Sequence, residues 1–269
     1  MREQSDLLDS EVIKGMLSQA SLGRISKLIL LEEVDSTNSR LQKELNGGMG
    51  PVLVCAADQQ TAGRGRSGKI WHSPLTKNIY FSISWEYAIS YQKVEGLSLA
   101  IGVVVLDSLI SHGYPELKLK WPNDILFDGA KLGGILVEII GGADSSLKII
   151  VGVGINVNMS AKQGSVIERA WTDLSSIRHK PPPSRNELLA TLIDRLIDLF
   201  LFYPEKGFPH WRDSWNARDS FMDKNAQIIS NGEILSGICR GVDSKGRLIL
   251  DSSEGLLFIA AGDVSLRES

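Results

Sequence analysis

Leu8, Val12 and Met16, with Ile13 and Leu17 beside them, recur at helical spacing and predict a helix over 7–17. Lys27–Val34 is a compact apolar run and predicts a strand. Asp35 and Ser36 then offer N-cap chemistry for a short helix that ends near Asn46, before Gly47-Gly48. Residues 52–57 and 78–85 read as buried strands, and the Gly/Arg segment between them has no period. Residues 91–112 read as a helix closed by Gly113. Strands follow at 117–121 and 125–127, then an Asp128-Gly129 turn, then strands at 132–140 and 147–158 hinged at Gly141-Gly142. Residues 160–179 carry no pattern, whereas Pro181-Pro182-Pro183 and Ser184 open an amphipathic helix reaching about Phe202.

Beyond Phe221 the rhythm shortens. Strands at 226–230, 233–242, 248–251 and 257–260, with an Asn231-Gly232 turn, are the signature of a small β-barrel or sandwich of about 45 residues. The chain is therefore expected to divide into units at 1–220 and 221–269. No internal repeat is visible.

Composition narrows the class. Of 269 residues, 43% are hydrophobic and 23% charged, which excludes disorder. Lys plus Arg number 29 against 32 Asp plus Glu, a net charge of -3, so broad charge-driven nucleic-acid binding is not expected. The charged N-terminus has no secretory core, and the longest apolar stretch, 97–110, is cut by Asp107 and too short to span a bilayer. Cys55 and Cys239 stand far apart and predict reduced thiols in a cytoplasmic protein. His72, His112, His179 and His210 show no metal-ligand spacing, and no protein-held metal is expected.

Gly63-Arg-Gly65-Arg-Ser-Gly68 matches G-x-G-x-x-G and, with Lys69, nearly matches a P-loop. Neither reading survives its context. Pro74 blocks the helix that a dinucleotide fingerprint needs, and Ile70 stands where a P-loop needs a hydroxyl for magnesium. Arg64, Arg66 and Lys69 nevertheless concentrate charge in an acidic protein, on a backbone that lets a ligand approach closely. An anion-binding loop is the better reading.

Further segments accompany that loop in order: Asp35-Ser-Thr-Asn38, Gln60-Thr-Ala-Gly-Arg-Gly-Arg66, Lys120-Trp-Pro-Asn-Asp124, Lys131-Leu-Gly-Gly-Ile-Leu-Val-Glu138 and Gly152-Val-Gly-Ile-Asn156. Together, over about residues 24 to 267, they resemble the biotin protein ligases. The resemblance implies an α+β fold, a mixed sheet with helices on one side followed by a small SH3-like β-barrel. It also implies a two-step reaction: biotin and MgATP form biotinyl-5′-AMP, and the acyl group passes to one lysine of a biotin carboxyl carrier protein.

By the same resemblance, Ser36, Thr37, Asn38 and Gln60 contact biotin, while Arg64, Gly65 and Arg66 close over biotin and the adenylate. Lys131 is the essential lysine beside the reacting carboxylate and α-phosphate, where a fixed cation stabilises developing charge. Lys120, Asn123 and Asn156 serve the nucleotide. Asp124 holds or deprotonates the acceptor ammonium, since only a neutral amine attacks an acyl-adenylate. Ser36 also has a bland reading as a helix N-cap, Asn156 as a buried amide bonded to backbone, and Trp71 and Trp171 as plain core.

Many family members carry an N-terminal winged helix. Only 34 residues precede Asp35 here, so a monofunctional ligase is expected rather than a DNA-binding repressor. A lipoate ligase is the other rival, disfavoured by the Gly-Arg loop and Lys120-Trp-Pro-Asn-Asp124. Members often pair through a sheet edge, which leaves a homodimer open.

Overall fold

The computed structural model describes residues 7–48, 50, 52–75, 78–88, 94–141, 146–178, 181–230, 233–260 and 265–268. Two short helices, α1 (Ser10–Met16) and α2 (Gln19–Leu22), lead into β1 (Lys27–Val34), α3 (Thr37–Asn46) and β2 (Leu53–Gln60). After a loop containing a single 3-10 turn at Arg66–Gly68 come β3 (Asn78–Tyr87), α4 (Leu97–Ser111), β4 (Lys118–Lys120) and β5 (Asp124–Phe127). Then follow β6 (Ala130–Gly141), β7 (Leu147–Asn156), α5 (Ala161–Gly164), α6 (Leu174–Ile177), α7 (Arg185–Lys206) and α8 (Pro209–Asn216). The chain closes with β8 (Asn225–Ser230), β9 (Glu233–Val242), β10 (Leu248–Ser252), β11 (Gly255–Ile259) and β12 (Ser265–Glu268).

Seven strands form one sheet in the order β1-β2-β3-β7-β6-β5-β4, and five form a second in the order β11-β10-β9-β8-β12. Among the described strand pairs only β1 and β2 run parallel, because α3 carries the chain from one to the other; the remaining strand pairs are antiparallel. Asp128 and Gly129 have φ of 47° and 75°, the left-handed pair that a tight two-residue hairpin requires between β5 and β6. The turns expected at Gly141-Gly142 and Asn231-Gly232 fall partly or wholly outside the described residues, as does the expected start of a helix at Tyr91.

Alternation along the strands divides the apolar residues between two layers. Val54, Ala56, Phe81, Ile83, Val151 and Val153 point into the main core with α4 and α7. Leu53, Cys55, Ile29 and Ile150 point the other way, under Leu41 of α3. The long helices thus share one face of the sheet, as expected, and the crossover helix α3 covers part of the opposite face.

Several boundaries differ from the sequence expectation for identifiable reasons. α4 starts at Leu97 because Gly96 has φ of 75° and its missing Cβ makes room for the Phe208 ring. Being apolar on nearly every side, α4 is buried along most of its length, and its Asp107 accepts from Arg218 Nη2 at 2.6 Å. α7 runs past Phe202 because Tyr203 is buried and donates its hydroxyl to Glu95 O at 2.6 Å. α5, α6 and α8 are short helices that the pattern does not announce.

The two sheets meet near the expected boundary. Leu119 N donates to Arg218 O and Ser220 N to Leu119 O, both at 2.8 Å, so residues 218–220 run along β4. Asp219 is buried there, with Oδ1 accepting from Phe221 N at 2.9 Å and Oδ2 facing Cys239 Sγ at 3.6 Å. Burial pushes its pKa up to about 6. A carboxyl whose folded pKa exceeds its unfolded value lends stability that is complete below the unfolded pKa and lost as pH rises through about 6. Asp219→Asn keeps the Oδ1 acceptor and removes the charge. It is expected to raise Tm in mildly alkaline buffer by an amount worth at most about 3 kcal/mol, and to leave it unchanged in acid. Equal melting temperatures in alkali would show that the charge is not resisted there.

Candidate active site

Beyond the apolar patch under α3, the sheet face opposite α4 and α7 carries glycines and polar side chains. On β3, Ser82 and Tyr80 alternate with core residues Phe81 and Ile79; on β7, Gly152 and Gly154 alternate with Val151 and Val153. The glycines are there for close approach. A methyl on Gly152 would land on Asn38 Oδ1, and one on Gly154 would lie 2.5 Å from Trp71 Cε2. Trp71 and Asn38 thus lie flat on a floor that larger residues would lift them from.

A cavity of about 370 Å³ opens on this face, near the lower end of the range for small-molecule sites. Ser36, Thr37, Asn38 and Gln60 line one side, and Arg64, Gly65 and Arg66 line the loop side. Lys120, Asn123, Asp124 and Lys131 line the far end, where Ile229 of β8 also reaches the wall. Eleven of the twelve expected site residues therefore meet in one place. The exception is Asn156. It lies behind the wall, donating from Nδ2 to Thr172 O at 3.0 Å and accepting from Asn78 Nδ2 at 3.4 Å.

Hydrogen bonds join the polar side into one chain. Thr37 N and Oγ1 donate to Gln60 Oε1 at 2.9 and 3.1 Å, and Gln60 Nε2 donates to Ser73 Oγ at 3.0 Å. Ser82 Oγ lies 2.7 Å from Thr37 Oγ1 and 2.5 Å from Asn38 Oδ1. Asn38 Nδ2 and Arg64 Nη2 both donate to Glu138 Oε2, at 2.7 and 2.9 Å. Ser36 takes the N-cap position of α3 yet makes no side-chain cap bond, which favours the cavity over the bland reading. The Asp35 carboxyl is held below the usual carboxylate range by the Ser36 N–H, fixing the turn into α3.

At the far end Lys131, only 9% exposed, donates from Nζ to Asp124 Oδ1 and lies 5.2 Å from the Trp71 ring centre. Burial pushes the Lys131 pKa down; Asp124 opposes that shift, while Arg169 and Lys120 add to it. Lys131 is the second residue of β6, with its backbone clamped by the neighbouring segment: its N–H donates to Ala170 O, and Thr172 N donates to its carbonyl, both at 3.0 Å. Asn156, through Thr172, braces that clamp. Asn123 is tied to β6, its Nδ2 donating to Ile135 O at 2.7 Å.

Sequence reading passed over Ser82, Glu138 and Arg169. Glu138 closes a quoted motif, but its odd spacing from Lys131 would put the two on opposite faces of a regular strand. Nothing local marks Arg169. Trp71 does line the cavity, with Nε1 buried and without a hydrogen-bond partner, so the plain-core reading does not fit it. Among the described residues no group of three His, Cys, Asp or Glu side chains gathers, and Asp124 is the one acidic side chain on the described cavity wall.

The chain is similar to known proteins in sequence and in fold. The family model described as "Biotin/lipoate A/B protein ligase family" matches residues 30–156, and that described as "Biotin protein ligase C terminal domain" matches 224–267. The chain is 32% identical over 267 residues to the bifunctional ligase/repressor BirA of Escherichia coli, covering 99% of this chain and 80% of the relative. It is 31% identical over 265 residues to the biotin--[acetyl-CoA-carboxylase] ligase of Mycobacterium tuberculosis, covering 96% and 95%. Among solved structures it is similar to the biotin protein ligase from Aquifex aeolicus in complex with biotin and ATP, with a TM-score of 0.76, 30% identity, and coverage of 90% and 99%.

Proposed function

The chain belongs to the biotin protein ligase family, and we infer from that premise that its cavity activates biotin with ATP and passes it to a lysine of a carrier domain. The observation that carries this reading is electrostatic. In a protein of net charge -3, Arg64, Arg66, Lys69, Lys120 and Lys131 line a cavity whose described wall has one acidic side chain. Such a wall suits a polyphosphate and a carboxylate together. With Asp124 already flanked by cations, magnesium belongs to the MgATP substrate rather than to a protein site.

The roles follow from position. Ser36, Thr37, Asn38 and Gln60 are a preformed polar wall for the ureido ring, which buries badly without partners. A carboxylate oxygen of biotin attacks the α-phosphorus and pyrophosphate leaves; Lys131 faces the charge that builds on the phosphoryl oxygens. Arg66 and Lys120 face the polyphosphate, Asn123 holds the turn that carries Asp124, and Asn156 acts only through the Thr172 clamp. In the second step Asp124 receives the acceptor ammonium, the neutral amine attacks the acyl carbon, and AMP leaves. The partner is a biotin carboxyl carrier domain, and a cytoplasmic setting fits the two free buried cysteines. Incubation with biotin, MgATP and a carrier domain should add one biotin by mass; an unmodified carrier with no pyrophosphate released would refute the reading.

The Gly-Arg loop supplies a second test. Gly65 N donates to Lys69 O at 2.7 Å and Trp71 N to Gly63 O at 2.9 Å, a narrow turn whose arginines project toward the cavity. No apolar side chain anchors residues 63–69. Biotin and MgATP bring an anion for the arginines and a ring system to cover, which excludes water from the reactive anhydride. Trypsin should therefore cut after Arg64, Arg66 or Lys69 more slowly with both ligands present. Equal cutting rates at saturation would show that the loop does not close over them.

A further inference from the structure

Asp124 is gripped from two sides by cations of different kinds. Lys131 is buried and takes Oδ1, whereas Arg169 reaches Oδ2 from a side chain 50% exposed, at 3.5 Å. Arg169 belongs to none of the motifs, but the backbone clamp at Ala170 and Thr172 fixes its segment beside Lys131. Asp124 is its one side-chain partner among the described residues.

If Asp124 receives the acceptor ammonium, as proposed above and as this inference requires, the arriving cation finds both oxygens occupied. Displacing Lys131 would strand a buried ammonium, which is costly. Displacing Arg169 moves an already half-exposed guanidinium into water, which is cheap. We propose that Arg169 guards Asp124, occupying the oxygen meant for the acceptor ammonium and so selecting against free amines that bring no docking surface to displace it. In the guarded step the amine lone pair forms the C–N bond and the acyl C–O bond breaks. The ammonium first gives one proton through Asp124 to water; AMP then leaves with the electron pair, and the second N–H proton, shed as the amide forms, goes to the departing phosphate or to water.

The test compares two small nucleophiles on adenylate formed in place from biotin and MgATP, with captured product divided by pyrophosphate released. Nα-acetyl-lysine is an ammonium at neutral pH and needs Asp124; hydroxylamine is neutral and does not. In Arg169→Gln, capture of Nα-acetyl-lysine per adenylate is expected to rise about fivefold, the upper range for an exposed ion pair, and hydroxylamine capture to change less than about twofold. Arg169→Lys keeps a cation and should behave like the unsubstituted protein. An equal rise with both nucleophiles would mean a loosened wall. No rise would mean no guard, and a greater ATP requirement at constant partition would assign the guanidinium to the polyphosphate. Each of these overturns the proposal. Absence of biotin-dependent pyrophosphate release from the unsubstituted chain would instead overturn the ligase reading, so the two failures are distinguishable.

Discussion

Lys131→Ala is expected to give a folded protein that forms biotinyl-adenylate about a hundredfold or more too slowly, the usual consequence of removing one transition-state charge contact. Folding should survive because the structural work at this position belongs to the backbone: the bonds to Ala170 and Thr172 need no side chain. Truncation leaves Asp124 with Arg169 as partner and opens onto a cavity that water can fill. The stability loss should therefore be small, on the order of 1 kcal/mol. The rate has no such substitute. Arg169 is half exposed and lies beyond Asp124, so it cannot take the place of a buried Nζ on the cavity wall. Biotin-dependent pyrophosphate release, read beside circular dichroism and Tm, separates the two effects. A folded mutant with a near-normal rate would remove Lys131 from the chemistry.

What the sequence makes legible here is what local chemistry decides. Lys27–Val34 and Glu233–Val242 form strands with the bounds their apolar patterns predict. The Asp128-Gly129 hairpin follows from two residues that tolerate positive φ. Ser36 through Asn38 reach the cavity because the N-terminus of a crossover helix projects there. Other features depend on distant partners. α8 and the last turn of α7 are held by Tyr203 and Phe208 against α4, contacts with no echo in the local period. Asn156 has the right neighbours in sequence, yet Thr172 and Asn78 draw its amide behind the wall. Glu138 acquires meaning only when Asn38 and Arg64, 100 and 74 residues away, arrive at the same oxygen. Arg169 sits in a patternless segment, so only the fold brings it to Asp124.

Ending the chain at Ser220 is expected to abolish activity and to lower Tm sharply, although the helices of the larger unit should persist by circular dichroism. The terminal strands are not an appendage. Ala226, Ile228, Cys239, Val242, Leu248 and Leu250 belong to the same continuous core as α4 and the main sheet. Trp121, inside the Lys120–Asp124 segment, donates its indole N–H to Gly246 O at 3.1 Å, and Gly246 packs against Leu99 and Gly96. Asn216 loses the Val242 N–H that its Oδ1 accepts at 2.9 Å. Re-exposing Trp121 and Leu99 alone forfeits roughly 1.5–3 kcal/mol each, a large share of a domain's usual margin of about 5–15 kcal/mol. The same loss reaches the chemistry, because Trp121 leads directly into Asn123 and Asp124, and Ile229 leaves the cavity wall. Thermal melts and pyrophosphate release on residues 1–220 test both halves. A truncated protein with unchanged Tm and rate would show that β4 and the Asp124 turn hold their places without the terminal sheet.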